Sequence, residues 1–229
     1  VFFDLSPVTA HLNDVNTTLI AAYKNLKNNL DEIVKILKGL EAQYKKGNIE
    51  ERSMLFYRIR ESFNKLPSIE IKKSAYLIFL NKTCFNGMYR ENSSGGYNSP
   101  FGKYKKPPIL DQENLVKVSK MLKKAKFTSF PFEKAVINAK KSDFIYFDPP
   151  YYPLNKTSNF TSYHKDSFTE GDQLRLRDIF IDLDKRGCFV MLSNSCTDFV
   201  KTIYEGFRQE VVMANRAINC KASGVVGIV

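Results

Sequence analysis

Apolar positions along the first third of the chain recur at helical spacing. Leu19, Ile20, Tyr23, Leu26, Leu30, Ile33, Val34 and Leu37 follow one another at steps of one, three or four residues, with Lys and Asn between them. This predicts one amphipathic helix, bent along its length and stopping near Gly39. Gly47 and Asn48 mark a turn, and Met54–Phe63 and Ser74–Cys84 predict two further helices. A basic helix is expected over Glu113–Lys124, a strand over Phe127–Phe130, and a helical turn or two over Phe132–Ala139. Phe144, Ile145, Tyr146 and Phe147 then form an unbroken apolar and aromatic run, the pattern of a strand buried on both faces. Thr169-Glu170-Gly171-Asp172 has the form of a capping box opening a helix to about Lys185. Beyond it the pattern predicts a buried strand over Phe189–Leu192 ending at Ser193-Asn194-Ser195, a helix over Asp198–Tyr204 and a strand over Gln209–Met213. Strands alternating with helices predict an α/β fold with a parallel sheet.

Composition changes this picture in one respect. The 229 residues are 43% hydrophobic, enough for a sizeable core, but 35 Lys and Arg against 24 Asp and Glu leave a net charge of +11. That excess points to a polyanionic partner. No apolar run is long enough to span a bilayer and the first residues do not read as a secretory leader, so a cytoplasmic protein is expected. Cys84, Cys188, Cys196 and Cys220 fall at no metal-ligand spacing, and His11 and His164 are the two histidines, so no metal site is predicted and the cysteines read as reduced. No cysteine follows a proline, which speaks against thiolate chemistry on a ring carbon.

The most informative stretch is Asp143-Phe144-Ile145-Tyr146-Phe147-Asp148-Pro149-Pro150-Tyr151-Tyr152. Asp148 stands where the strand stops. Pro149 and Pro150 stiffen the backbone and cannot continue a ladder, so Tyr151 is presented from a rigid turn. In open α/β sheets the carboxyl end of a strand is where ligands bind. A plain proline turn with an Asp bonded to its own backbone would give the same tetrapeptide. The chemistry suited to the stretch is methylation of an exocyclic amine on a nucleobase. Asp148 and the Pro149 carbonyl would take the two N–H bonds and make the nitrogen more tetrahedral, a purely electrostatic assistance. Tyr151 would stack on an extruded base.

Two other stretches stand out. Asp14, in Asn13-Asp14-Val15-Asn16, is expected just past a strand formed around Val8–Leu12, where a carboxylate can bind a ribose diol; the alternative is an Asp capping the next helix. Asn81–Lys106 interleaves aromatics, amides, glycines and bases. Arg90 suits a guanine edge, Phe85 a wedge between bases, and Lys103, Lys105 and Lys106 phosphates; a solvated hairpin around Ser93-Ser94-Gly95-Gly96 is the plainer alternative. A polar loop is expected over Asn155–Asp166, with His164 unassigned.

Several motifs in order resemble those of the Dam-type DNA adenine-N6 methyltransferases, over nearly all 229 positions. They are Phe-Phe-Asp-Leu near the start, Asn-Asp-Val-Asn at 13–16, Phe-Asn-Gly-Met-Tyr-Arg at 85–90, Tyr-Asn-Ser-Pro-Phe-Gly-Lys-Tyr-Lys at 97–105, Asp-Pro-Pro-Tyr at 148–151, Asn-Phe-Thr-Ser-Tyr at 159–163 and Leu-Ser-Asn-Ser at 192–195. The resemblance implies a Rossmann-like S-adenosylmethionine methyltransferase fold with a mainly helical DNA-recognition insert. Residues 1–40 and 125–229 would form the catalytic and cofactor-binding domain, and 41–124 the recognition subdomain. It implies methyl transfer to adenine N6 in double-stranded DNA, within GATC, by base flipping and direct transfer, with the enzyme monomeric on DNA. Asp148, Pro149, Pro150 and Tyr151 would be catalytic. Asp14 would hold the cofactor ribose, Phe132 would sit by its adenine, and Asp148 would touch cofactor and amine alike. Phe85 would intercalate, Arg90 would contact guanine and Pro100 thymine, Asn86 and Asn98 would assist, and Lys103, Tyr104 and Lys105 would meet phosphates.

The same resemblance places a lysine-bearing segment and a Phe-x-Gly-x-Gly loop before Val1, with Val1-Phe2-Phe3 in the helix after that loop, and continues the C-terminal strand past Val229. On that expectation residues 1–229 alone bind S-adenosylmethionine weakly and methylate GATC poorly. An N4-cytosine methyltransferase, which shares the amine chemistry, and a catalytically silent DNA-binding fragment are the competing readings; the Asn81–Lys106 loop favours adenine in GATC.

Overall fold

The computed structural model describes residues 1–154, 168–214 and 225–228. The expected loop over Asn155–Asp166, with the Asn-Phe-Thr-Ser-Tyr motif, lies outside the described residues. The fold is mixed α/β, and the chain divides into two compact units, Val1–Pro131 and Phe132–Val229.

In the first unit a short helix α1 (Phe2–Leu5) precedes strand β1 (Ala10–Asn13), which pairs in parallel with β2 (Ala125–Thr128). Between them run α2 (Thr17–Asn28), α3 (Leu30–Lys46), α4 (Ile49–Lys65), α5 (Ile71–Thr83) and α6 (Gln112–Leu122). The single bent helix expected over Leu19–Leu37 is two helices. Asn29 breaks it at φ −132°, ψ 37°, outside helical space, and its side-chain amide donates to Asn25 Oδ1 at 3.2 Å. Polar Asn residues compete for backbone groups in this way and so favour helix ends over interiors. Gly39 does not stop α3, which runs on to Lys46 and ends at Gly47. The apolar stripes of α3, α4 and α5 meet in one core of Ile33, Leu37, Leu40, Phe56, Ile59 and Phe79, each worth roughly 1.5–3 kcal/mol of burial. The second strand spans Ala125–Thr128 rather than Phe127–Phe130, because Asn13 closes it: its Oδ1 accepts from Phe130 N at 2.9 Å and its Nδ2 donates to Phe130 O at 2.9 Å.

In the second unit α7 (Phe132–Ala135) is a single turn, followed by β3 (Phe144–Phe147), α8 (Glu170–Lys185), β4 (Phe189–Leu192), β5 (Asn194–Ser195), α9 (Asp198–Ile203), β6 (Val211–Ala214) and β7 (Val225–Ile228). β3 and β4 are parallel, as expected, with Phe147 opposite Leu192, whereas β5, β7 and β6 form an antiparallel set in that order. The expectations that β3 is buried on both faces and that β4 is a buried strand do not hold. Ile145 and Phe147 pack with Leu176, Phe180, Leu192 and Val200, while Phe144, Tyr146 and Phe189 are 48%, 37% and 65% exposed. The two-stranded ladder is covered on one face only, so the pleat sends alternate residues to solvent. α8 opens with the expected capping box: Thr169 Oγ1 accepts from Asp172 N at 3.2 Å, and Asp172 Oδ2 accepts from Thr169 N at 2.7 Å. No helix among the described residues is long and apolar enough to cross a membrane.

Candidate functional site

Asp148 follows directly on β3, with its carboxylate exposed. Oδ1 accepts from Ser193 Oγ at 2.8 Å, and Ser193, the residue after β4, is tied by its backbone N–H to Phe147 O at 3.0 Å. The Pro149-Pro150-Tyr151 turn leaves the Tyr151 ring 43% exposed. The adjacent backbone is fixed from inside. Gln173 Nε2 donates to Pro150 O at 3.1 Å, Asn194 Oδ1 accepts from Tyr152 N at 2.9 Å, and Ser195 Oγ donates to Tyr152 O at 2.6 Å. Pro149 O accepts no hydrogen bond among the described residues. The stretch Pro150–Tyr152 has no sheet partner among the described residues, and side chains of α8 and β5 satisfy its backbone instead. The Tyr152 ring stacks on Phe199 at 4.6 Å and its hydroxyl donates to Glu170 Oε1 at 2.5 Å. That bond to a carboxylate raises the Tyr152 phenol above its ordinary value, so it remains a donor. Phe132, half-buried on α7, meets Phe168 edge-on at 6.0 Å.

In the first unit Asp14 directly follows β1, where its N–H donates to Thr128 O at 3.3 Å. It does not cap α2. Asn16 does, accepting from Leu19 N at 2.9 Å, while Asp14 Oδ1 accepts from Asn16 N at 2.7 Å in a tight Asx turn. One carboxylate oxygen of Asp14 is therefore spent on the loop.

Phe85, Asn86, Arg90, Asn98, Pro100, Lys103, Tyr104 and Lys105 are all exposed on one irregular hairpin. Bridges Cys84–Phe101 and Glu91–Tyr97 close it, and Asn98 N donates to Arg90 O at 2.8 Å while Phe85 N donates to Pro100 O at 2.9 Å. Its return strand alternates: Tyr97, Ser99 and Phe101 are buried and Asn98 and Pro100 are not. α4 grips that strand where no ladder exists. Asn64 pairs with both backbone groups of Tyr97, at 2.9 and 3.1 Å, and Arg60 Nη1 donates to Ser99 O at 3.2 Å. Asn86 takes φ +52° at the apex of the turn Phe85–Gly87, and its N–H donates to Tyr104 Oη at 3.0 Å. The expected plain hairpin around Ser93–Gly96 is present too, its tip held by Asn92 Oδ1, which accepts from Ser94 N and Gly96 N.

Gln173, Asn64 and Arg60 carry no signal of function in the sequence. Gln173 had one structural clue, since it lies on the same helical stripe as Leu176, Phe180 and Leu183, where an apolar residue belongs.

The comparisons with known proteins agree on one family. The type II methyltransferase M.MjaIII of Methanocaldococcus jannaschii is 46% identical over 213 residues, which covers 92% of this chain and 74% of that protein. The DNA adenine methylase of Vibrio cholerae is 35% identical over 216 residues (93% and 75%), and that of Escherichia coli 33% identical over 208 residues (91% and 72%). Residues 1–218 match the family described as D12 class N6 adenine-specific DNA methyltransferase. N6-adenine rather than N4-cytosine chemistry follows, and the chain belongs to the D12 class of N6 adenine-specific DNA methyltransferases.

Proposed function

We propose that this chain methylates adenine N6 within GATC in duplex DNA, with the base extruded from the helix and the methyl group passed directly to the amine. The arrangement around Asp148 carries the reading: an exposed carboxylate at the end of a strand, next to a carbonyl with no described partner and an exposed aromatic ring, on a turn braced from behind. The adenine amine is a weak nucleophile because its lone pair is delocalised into the ring. Asp148 and Pro149 O accept its two N–H bonds, and Tyr151 stacks on the base. The N6 lone pair forms the new N–C bond as the C–S pair departs with sulfur, and one N–H proton then leaves to solvent.

The family's methyl donor is S-adenosylmethionine, whose sulfonium supplies an activated methyl. Each side chain suits its part by its own chemistry: Asp14, whose second carboxylate oxygen accepts nothing among the described residues, for the ribose diol, the half-buried Phe132 ring for the adenine, and Asp148 for the amine nitrogen. We assign residues 41–124 to target recognition and 1–40 with 125–229 to a Rossmann-like catalytic domain. On the hairpin, Phe85 wedges into the duplex, Arg90 reads guanine and Pro100 the thymine methyl, Asn86 and Asn98 assist, and Lys103, Tyr104 and Lys105 meet phosphates. The enzyme acts as a cytoplasmic monomer on DNA.

Single-turnover methyl transfer into a GATC duplex by the full-length protein tests the reading. Asp148→Ala is expected to abolish transfer and to retain DNA affinity, and retention of most of the wild-type rate would overturn the assignment.

A further inference from the structure

The Asp148 carboxylate belongs to a chain of three groups. Its Oδ1 accepts from Ser193 Oγ at 2.8 Å, and Ser193 Oγ lies 2.9 Å from Tyr146 Oη. A serine hydroxyl has one proton. With that proton given to Asp148, Tyr146 must be the donor in the second bond, so the chain runs from Tyr146 through Ser193 to Asp148. Its members are held by the backbone: Tyr146 lies within β3, opposite Met191 of β4, and Ser193 N donates to Phe147 O at 3.0 Å. Ser193 is buried, whereas Asp148 is open to solvent.

We infer that Ser193, and Tyr146 acting through it, are positioning residues for Asp148, holding Oδ1 so that Oδ2 is the oxygen offered to the N6 amine. This rests on the role proposed for Asp148 above. The torsion that turns an aspartate carboxylate is broad and two-fold, so an unrestrained Asp148 would present either oxygen over a range of angles. A hydroxyl-to-carboxylate bond is charge-assisted and selects one orientation, and the Tyr146 hydroxyl polarises Ser193 further. The direction of the chain has a chemical consequence. Both protons point toward the carboxylate, which favours the anion as an acceptor. Carrying a proton away from Asp148 would require both hydroxyls to turn round. The chain is an orienting device and not an exit path for the amine proton.

Four variants of the protein test this alongside Asp148→Ala: Ser193→Ala, Ser193→Thr, Tyr146→Phe, and Ser193→Ala with Tyr146→Phe. Ser193→Ala is expected to lower kcat about tenfold, since a hydrogen bond to a charged group is lost. KM for DNA, and the fluorescence rise of a 2-aminopurine placed at the target base, should stay within about twofold, because binding and extrusion do not use the bond. Ser193→Thr, which keeps the hydroxyl, should restore most of the rate. Tyr146→Phe should cost about threefold alone and nothing further in the Ser193→Ala background, because it acts only through Ser193. Wild-type kcat in Ser193→Ala, no rescue by Thr, or a Tyr146→Phe loss that adds in full to that of Ser193→Ala would each overturn the inference. If any of these occurs while Asp148→Ala is dead, the proposed function stands and only the positioning role falls; if Asp148→Ala is active, the proposed function falls first. Should Ser193→Ala fail to fold, Tyr146→Phe decides alone, a drop in kcat at constant KM supporting the inference and an unchanged kcat overturning it.

Discussion

Asn194 Nδ2 donates to Gln173 Oε1 at 2.9 Å, and the two side chains are 0% and 1% exposed. Each spends its remaining polar atom on the backbone beside Tyr151: Gln173 on Pro150 O, Asn194 on Tyr152 N, with Ser195 N as a second donor to the same Asn194 oxygen. Every amide atom so engaged is fixed in orientation by a backbone donor or acceptor, which settles which end of each amide is oxygen. Gln173→Leu fills the space but leaves Asn194 Nδ2 and Pro150 O without partners. It is expected to cost about 1–3 kcal/mol in stability and to lower the methyl-transfer rate more than DNA affinity. Denaturant midpoints together with single-turnover rates check this; a variant as stable and as fast as wild type would show the network to be inert.

The roles proposed for the exposed hairpin residues are of two kinds, with different signatures. Arg90→Ala is expected to cost about 1–3 kcal/mol of discrimination at one guanine, the worth of a bidentate contact. Lys103→Ala is expected to weaken binding to every sequence alike and to flatten the salt dependence by roughly one counterion. Binding of GATC and singly substituted duplexes across a salt series separates the two. A uniform loss from both variants would make Arg90 a phosphate contact.

What was legible in the sequence follows the strength of local signals. The β3 run with its Asp-Pro-Pro-Tyr ending, the Thr169–Asp172 capping box and the Phe85–Lys105 stretch are local motifs, and each forms at its expected place. The break at Asn29 was not legible, because the apolar stripe passes through it unaltered and only Asn25, Asn28 and Asn29 hint at a competing hydrogen bond. Burial of β3 is less complete than its apolar run suggests, because such a run says which residues favour burial, not how many layers cover the strand. The braces on the candidate site were invisible for a different reason. Gln173 meets Pro150 across 23 residues and Asn64 meets Tyr97 across 33, so their partners are set by tertiary packing alone.

Two glycines of the first unit make opposite predictions. A Cβ on Gly102 would lie 2.6 Å from Cys84 O and 2.5 Å from the Tyr104 ring. The ring can swing, but the Cys84 backbone, which caps α5, cannot. Gly102→Ala should therefore push the return strand off α5, costing about 1–3 kcal/mol and abolishing the sequence-specific part of DNA binding. Gly39 is exposed in the middle of α3 with nothing near its absent Cβ, so Gly39→Ala should stabilise by about 1 kcal/mol and leave binding alone. Thermal melts and DNA binding on both variants test this, and equal effects would refute the close-approach argument.

The first turn of α8 links stability to pH and to the site. Asp172 Oδ2 accepts from Thr169 Oγ1 at 2.6 Å and from Thr169 N at 2.7 Å, and Oδ1 accepts from Arg175 at 2.6 Å. The Thr169 side-chain bond above all, with the backbone bond and the Arg175 charge, holds the Asp172 carboxyl below its ordinary value. A carboxylate depressed in the folded state contributes stability that is fully present above the unfolded value of about 4 and is lost as pH falls through the lower folded value. Glu170, which receives the Tyr152 hydroxyl, and Gln173, which holds Pro150, both sit on this turn, so fraying it loosens the backbone on either side of Tyr151. Thr169→Ala should cost about 1 kcal/mol at neutral pH through loss of the cap. Asp172→Asn should lower stability at neutral pH and give a shallower decline than wild type below about pH 4, because one proton-linked group has been removed. Urea midpoints from about pH 7 down to about pH 3 measure both effects. An acid decline in Asp172→Asn as steep as that of wild type would place the linkage on other carboxylates.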